Sequence, residues 1–181
     1  MRNVVTGQVF LIVCFVFYLI WWYRGFQPNT HVNRLGGPNG VFLSLSVAFG
    51  IAGVAFSLMC GEPGPLIIKP SVIFFTGVAV YVVLVLVTVF LFHRVLTTEL
   101  LLIVAWTTLE VHVNNLLEAG GILSIANFWT MCGILGLTFV ISIILYVAYY
   151  NMEPKKGFYA AMVPLIAAEC SMIAMAGMGL G

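Results

Sequence analysis

Long apolar runs with almost no charge are the feature that most restricts how this chain can fold. A backbone in hydrocarbon must satisfy its polar groups within the segment, so runs of about 17 to 25 apolar residues form membrane-spanning helices. Six such runs follow one another, at residues 8–23, 41–60, 71–92, 99–118, 125–150 and 158–179. The pattern predicts one all-α integral membrane domain over residues 1–181, built as a bundle of six transmembrane helices.

The composition agrees with a lipid environment. Charged residues make up 7% of the chain and hydrophobic residues 62%, whereas a soluble domain carries roughly 25% charged residues. A membrane β-barrel would show short segments of alternating polarity, and the sequence has none. The net charge of +1 and the absence of a basic cluster disfavour nucleic acid as a partner. The lipid bilayer is therefore the first partner expected.

The residue types that carry most enzyme chemistry are scarce. The four cysteines, Cys14, Cys60, Cys132 and Cys170, are scattered without metal-binding or disulfide spacing. The chain has no Asp, no HExxH motif and no paired histidines. We therefore expect no metal site, no cofactor and no catalytic residues.

Positive charges in the connecting segments predict the orientation. Five of them fall after the first, third and fifth runs: Arg24, Arg34, Arg94, Lys155 and Lys156. Only Arg2 and Lys69 lie on the other side. Because lysine and arginine are enriched in cytoplasmic loops, both termini are expected on the extracytoplasmic side of the plasma membrane. The first run ends in LIWWYRG and lacks a small-residue cleavage site, so we expect it to be retained.

The fourth run differs from the others because polar side chains crowd into WTTLEVHVNNLLEAGG, residues 106–121. Helical spacing places a first polar stripe on one face: Thr107, Glu110, Asn114 and Glu118. The nearly opposite face carries a second stripe: Thr108, His112 and Asn115. Since polar groups on two sides cannot face lipid, the fourth helix is predicted to be central and enclosed.

Two carboxyl groups fall near the middle of predicted spans, Glu110 in the fourth and Glu169 in the sixth. A charge at that depth costs on the order of 3 kcal/mol, so it must be paired, hydrated or protonated. Histidine ordinarily changes charge within the physiological pH range. We therefore predict that Glu110, Glu169 and His112 form a proton relay, a coupling site or a pH gate, with Asn114 in the same pathway.

The remaining polar residues have two interpretations. Thr107 and Asn115 are predicted to support the pathway, but they and Asn114 would equally well hydrogen-bond neighbouring helices together. Glu118, at the helix end, is expected to be interfacial. Pro164 removes a backbone hydrogen bond five residues before Glu169, which predicts a kink that exposes carbonyl oxygens to a cavity.

Two resemblances bear on function. LEVHVNN (109–115) and IAAECS (166–171) resemble the glutamate-bearing helices of the small three-helix membrane subunit in complex I type proton pumps. That resemblance implies proton-path roles for Glu110, Asn114 and Glu169. The family places its glutamates on consecutive antiparallel helices, whereas here a whole helix intervenes. Separately, the six-helix layout with both termini outside resembles the acid-gated urea and amide channels, oligomers whose protomers each conduct a small neutral solute.

These observations leave three functions open. The first is a channel or transporter that moves a small solute, protons or both through a polar interior built around the fourth and sixth helices. The second is an accessory or structural subunit of a larger membrane complex. The third is an integral membrane enzyme. In the first two cases the expected protein partner is a second copy of the chain or a membrane subunit.

Overall fold

The fold is an all-α bundle of the kind expected for a multi-pass membrane protein. A computed structural model describes residues 2–28, 33, 35–59, 61, 64–91, 93, 98–149 and 151–180. Its helices are α1 (Arg2–Phe26), α2 (Gly37–Leu58), α3 (Pro70–Leu86), α4 (Thr98–Ala119), α5 (Ile125–Tyr149) and α6 (Pro154–Leu180). A π-helical turn, Val87–Leu91, continues α3. Together these segments provide six helices that are long and apolar enough to cross a membrane.

Three helices begin at least four residues earlier than the apolar runs indicate. α1 begins at Arg2, α2 at Gly37 and α6 at Pro154, where the runs begin at residues 8, 41 and 158. The additional residues are mostly polar residues, glycine and proline, so a pattern of hydrophobicity does not include them, yet they continue the helices without a break. Pro154 suits its position because a proline in the first helical turn sacrifices no hydrogen bond.

α1, α4, α5 and α6 form the inner part of the bundle. α1 packs against α6 and contacts α4, while α5 packs against both α4 and α6. α2 packs along α1, and α3 packs along α4. The result is a four-helix interior with one flanking helix beside α1 and one beside α4.

Glycine permits the close approach of α1 and α2. A Cβ added at Gly53 would lie 2.7 Å from Cγ of Leu11 and 3.1 Å from the carbonyl oxygen of Gly7. A Cβ at Gly7 would collide with the hydroxyl of Ser57. Small residues at such contacts let two membrane helices gain packing energy that larger side chains would prevent.

A compact apolar core closes one end of the bundle. It contains Val4 from α1 and residues from the second half of α4, the α4–α5 connection, the first half of α5 and the second half of α6: Val113, Leu116, Leu117, Leu123, Met131, Leu135 and Met175. Each of these side chains is at most 5% exposed. We call this the core end, the end at which α1 begins and α4 stops.

The structure describes some of the positively charged residues on which the expected orientation depends. Arg24 donates its Nε to Oδ1 of Asn39 at 3.0 Å, and Lys156 pairs with Glu153 at 3.2 Å. Both contacts lie opposite the core end. Arg34, Arg94 and Cys60 lie outside the described residues. The extracytoplasmic placement of the termini and the identity of the membrane stay predictions.

Six spans require the α4–α5 and α5–α6 connections to lie on opposite sides of the membrane. In a background that lacks Cys60, we expect Met152→Cys and Ser124→Cys, both at exposed positions, to react with a membrane-impermeant thiol reagent from opposite faces of sealed vesicles. The orientation rule places Met152 on the cytoplasmic face. Labelling of both positions from the same face would contradict the helix count.

Candidate functional site

Protein surrounds α4, as its two polar stripes predict. The share of buried residues in the most apolar part of the span is 56% for α4 and between 11% and 28% for the other five helices. The cause is its position, because α4 contacts α1, α3, α5 and α6. The polar side chains from Glu110 to Asn115 are therefore buried in protein, whereas Glu99 in the first turn of α4 is exposed.

Glu110 is fully buried where α4 meets α1. Its exposed fraction is 0% and that of Gln8 is 1%. Nε2 of Gln8 donates to Oε1 of Glu110 at 3.3 Å and to Oε2 at 3.1 Å. None of the lysine and arginine side chains that the structure describes pairs with Glu110. The carboxyl group is thus held by a neutral amide in otherwise apolar surroundings.

Gln8 is the site residue that the sequence alone does not reveal. It stands at the start of an apolar run and forms no polar stripe with its neighbours, so helical periodicity gives no reason to select it. The one sequence feature that could have selected Gln8 is the free-energy cost of placing an amide in hydrocarbon, because such an amide needs a hydrogen-bond partner. Which partner it finds depends on how α1 packs.

Two adjacent asparagines tie α4 to different neighbours. Nδ2 of Asn114 donates to the carbonyl oxygen of Phe128 at 3.1 Å and approaches Sγ of Cys132 at 3.3 Å, both on α5. Asn115 binds the segment before α3: Nδ2 donates to the carbonyl oxygen of Ile68 at 2.7 Å, and Oδ1 accepts from its N–H at 3.3 Å. Both side chains therefore hold elements together, one of the two interpretations that the sequence left open.

The other polar residues of α4 do not gather around Glu110. The hydroxyls of Thr107 and Thr108 donate to carbonyl oxygens one turn back in their own helix, at 2.9 and 2.8 Å. The ring of His112 lies 5.5 Å from that of Phe74 on α3. Because Glu110 faces α1 and His112 faces α3, the structure does not bring these two predicted relay residues together.

Glu169 is buried on α6 and is 9% exposed. Its Oε2 has no hydrogen-bond partner among the described residues. Within the described chain its side chain forms no hydrogen bond with Glu110.

A large cavity lies between α1 and α2 on one side and α4, α5 and α6 on the other. Its volume is about 950 Å³. The walls come from the second half of α1, most of α2, the first half of α4, the end of α5 and the first half of α6. The cavity therefore occupies the end of the bundle opposite the core, which we call the cavity end. α6 runs unbroken through Pro164, which lines this space.

Part of the cavity lining is not covered by other described residues. Ile51 of α2 and Leu102 of α4 both line the cavity, and their exposed fractions are 67% and 51%. Phe74 of α3 lines it as well.

Along α1 and α4 the Gln8–Glu110 pair lies between residues that line the cavity and residues of the core, and Trp106 both lines the cavity and packs against the core. On α1, Leu11 lines the cavity and Val4 belongs to the core, with Gln8 between them. On α4, Trp106 and Leu109 line the cavity and Val113 belongs to the core, with Glu110 between them. Two helices therefore give the same order, from cavity to polar pair to packed apolar side chains.

The contact between Asn115 and Ile68 predicts an effect on the stability of the fold. Asn115→Ala would leave the half-buried peptide groups of Ile68 without their side-chain partner, which costs about 1 kcal/mol. We expect a lower melting temperature in detergent for this variant. Asn127→Ala serves as the control, because that side chain is exposed at the start of α5. Equal melting temperatures for the two variants would contradict an anchoring role for Asn115.

Comparison of the chain with protein-family models, with curated proteins and with solved structures finds no match. Within the described residues, no group of three or more His, Cys, Asp or Glu side chains is placed to hold a metal ion. The function must therefore be inferred from the residues and the geometry of this chain.

Proposed function

We propose that this protein is a small membrane transporter that moves protons, alone or together with a small solute, through an interior built around α4 and α6. The observation that carries the proposal is the placement of Glu110, fully buried and held by the neutral amide of Gln8. Ionisable groups inside a membrane bundle are costly, and they commonly mark ion and proton pathways.

A carboxyl group in the membrane interior has a high free-energy cost if its only role is to join α1 to α4. Glutamine at position 110 would still accept a hydrogen bond from Gln8 through its single carbonyl oxygen, and its NH2 group could donate to Oε1 of Gln8, without the cost of an ionisable group in the interior. What the carboxyl group adds is the ability to accept and release a proton. This difference favours a proton-handling role for Glu110 over a purely structural one.

The order of cavity, polar pair and core favours a transporter over a permanently open channel. Protons would reach Glu110 from the cavity end, and the packed residues of the core end would block their further passage. Transport then requires α1 and α4 to rearrange so that Glu110 communicates with the other side. Such alternation around a central site is how many membrane transporters work.

Glu169 is the second residue assigned to this pathway. It is buried, its Oε2 lacks a hydrogen-bond partner among the described residues, and its neighbour Ala168 lines the cavity. His112 and Asn114, with Thr107, Asn115 and Pro164 in support, stay candidates of lower rank because their described contacts serve packing. In the proposed orientation the cavity end, which carries Arg24, Lys155 and Lys156, is cytoplasmic in the plasma membrane.

A role as a subunit of a larger membrane complex is the second candidate. It is favoured by the span Pro70–Leu91, formed by α3 and the π-helical turn, of which only 11% is buried. Phe75 and Phe90 in this span are 75% and 71% exposed. These faces suit lipid, a second copy or a partner subunit. Stable activity of the purified chain would favour the transporter, whereas loss of the folded protein without a partner would favour the subunit.

The proton proposal predicts the effect of removing one ionisable group. In liposomes that contain the purified chain and a pH-sensitive dye, Glu110→Gln is expected to lower proton flux by roughly tenfold or more, because glutamine cannot take up and release a proton. The fold should persist, since glutamine can still hydrogen-bond with Gln8. Glu169→Gln is expected to change the pH dependence of the remaining flux.

Glu118→Gln is the matched control, because Glu118 stands on the same helix, half-buried at its end. It should leave flux unchanged. Wild-type flux and wild-type pH dependence in both the Glu110 and the Glu169 variants would refute the proposed pathway.

A further inference from the structure

The cavity has a chemical character that the proton pathway alone does not explain. We propose that it binds a lipophilic cation, an organic molecule with a large apolar or aromatic surface and one positive charge. As a binding site this proposal stands on the cavity alone. Only the step from bound ligand to transported substrate rests on the proposed function.

The size of the cavity fits a small organic molecule. Its volume of about 950 Å³ falls in the range of roughly 300 to 1,000 Å³ that is typical of ligand pockets. Such pockets are lined mainly by apolar and aromatic side chains with a few polar groups. Most of the residues around this cavity are apolar, which agrees with that description.

Aromatic side chains are prominent in the walls. Phe15, Tyr18 and Trp22 line the cavity from α1, Trp106 from α4 and Tyr146 from α5. The faces of aromatic rings attract cations, tryptophan most strongly, and the attraction increases where water is excluded. Aromatic walls therefore suit a ligand that is both apolar and positively charged.

Among the described residues that line the cavity, the only charge is negative. Glu99, in the first turn of α4, is the only charged residue among the described lining residues. It takes part in none of the hydrogen bonds or ion pairs found there, and its side chain is exposed. A carboxylate that no described residue pairs with, beside aromatic walls, complements a cation and repels an anion.

Helical geometry joins this carboxylate to Glu110. Glu99, Ile103, Trp106 and Glu110 follow spacings of four, three and four residues, so they share one face of α4. The first three line the cavity, and the fourth lies just beyond it. The two carboxyl groups are about 16 Å apart along the helix axis. One wall thus leads from an acidic entrance to the buried proton-accepting group, an arrangement suited to exchanging a cation for a proton.

Two other occupants would fill an apolar cleft in a membrane, and both fit less well. The acyl chain of a phospholipid gains nothing from Glu99, and its phosphate group would be repelled by that carboxylate. A helix from a second copy would have to bury Glu99 against another apolar surface, at the cost of an unpaired charge. The observed charge therefore favours the small cation.

Two ions of nearly equal size and opposite charge test the proposal. Saturable binding of tetraphenylphosphonium and of tetraphenylborate is measured by calorimetry on the purified full chain in neutral detergent. We expect the cation to bind and the anion to bind at least about fivefold more weakly, since a partly exposed ion pair contributes up to about 1 kcal/mol. Glu99→Gln should weaken cation binding by about fivefold.

Glu153→Gln is the matched control, because Glu153 is an exposed acidic residue at the start of another helix on the same end of the bundle, outside the cavity. It should leave cation binding unchanged. Trp106→Leu should weaken the binding of the cation, while the melting temperature of each variant verifies that it folds.

Equal binding of the two ions, or unchanged cation binding in Glu99→Gln, would overturn the cation proposal and leave a merely apolar cleft. Absence of binding together with cross-linking between Ile51→Cys residues of two copies would overturn it in favour of a dimer interface. The Glu110→Gln variant separates the two proposals. Intact cation binding with intact proton flux in that variant would refute the proton pathway alone.

Discussion

The hydrogen bond between Gln8 and Glu110 is the contact on which the interior depends. A carboxyl group deep in a membrane bundle needs donors from protein, since hydrocarbon offers none. The amide of Gln8 supplies them to both carboxyl oxygens. Because these two residues must meet, α1 has to lie beside α4 in a fixed register. That register also sets where the packed core begins and where the cavity stops.

α4 is the element around which the other helices are arranged. Membrane helices gain little from burying apolar surface against each other, because lipid is equally apolar, so polar contacts and close packing select their neighbours. In this chain the polar side chains of α4 are distributed among several neighbours. Glu110 is bonded from α1, Asn114 bonds α5, Asn115 bonds the segment before α3, and His112 packs on α3.

The asymmetry of the bundle along its axis links packing to the proposed function. Packed apolar side chains fill the core end, whereas large aromatic residues and small residues leave a cavity at the other end. A buried polar pair, in which Glu110 is the ionisable member, sits at the boundary between them. A transporter needs such a boundary, because a site open to both sides at once would dissipate any gradient that it used.

The sequence by itself determined the all-α class, the six apolar spans and the enclosure of α4. These follow from properties of single segments: the length of apolar runs, and the positions of polar residues around one helix. Only the tertiary structure decided that Gln8 is the partner of Glu110, that His112 faces away from it, and that Glu99 borders a cavity. Helical periodicity states which residues share a face, but it carries no information about which neighbouring helix that face meets. Contacts between residues far apart in the chain, such as Gln8 and Glu110, determine which helices become neighbours.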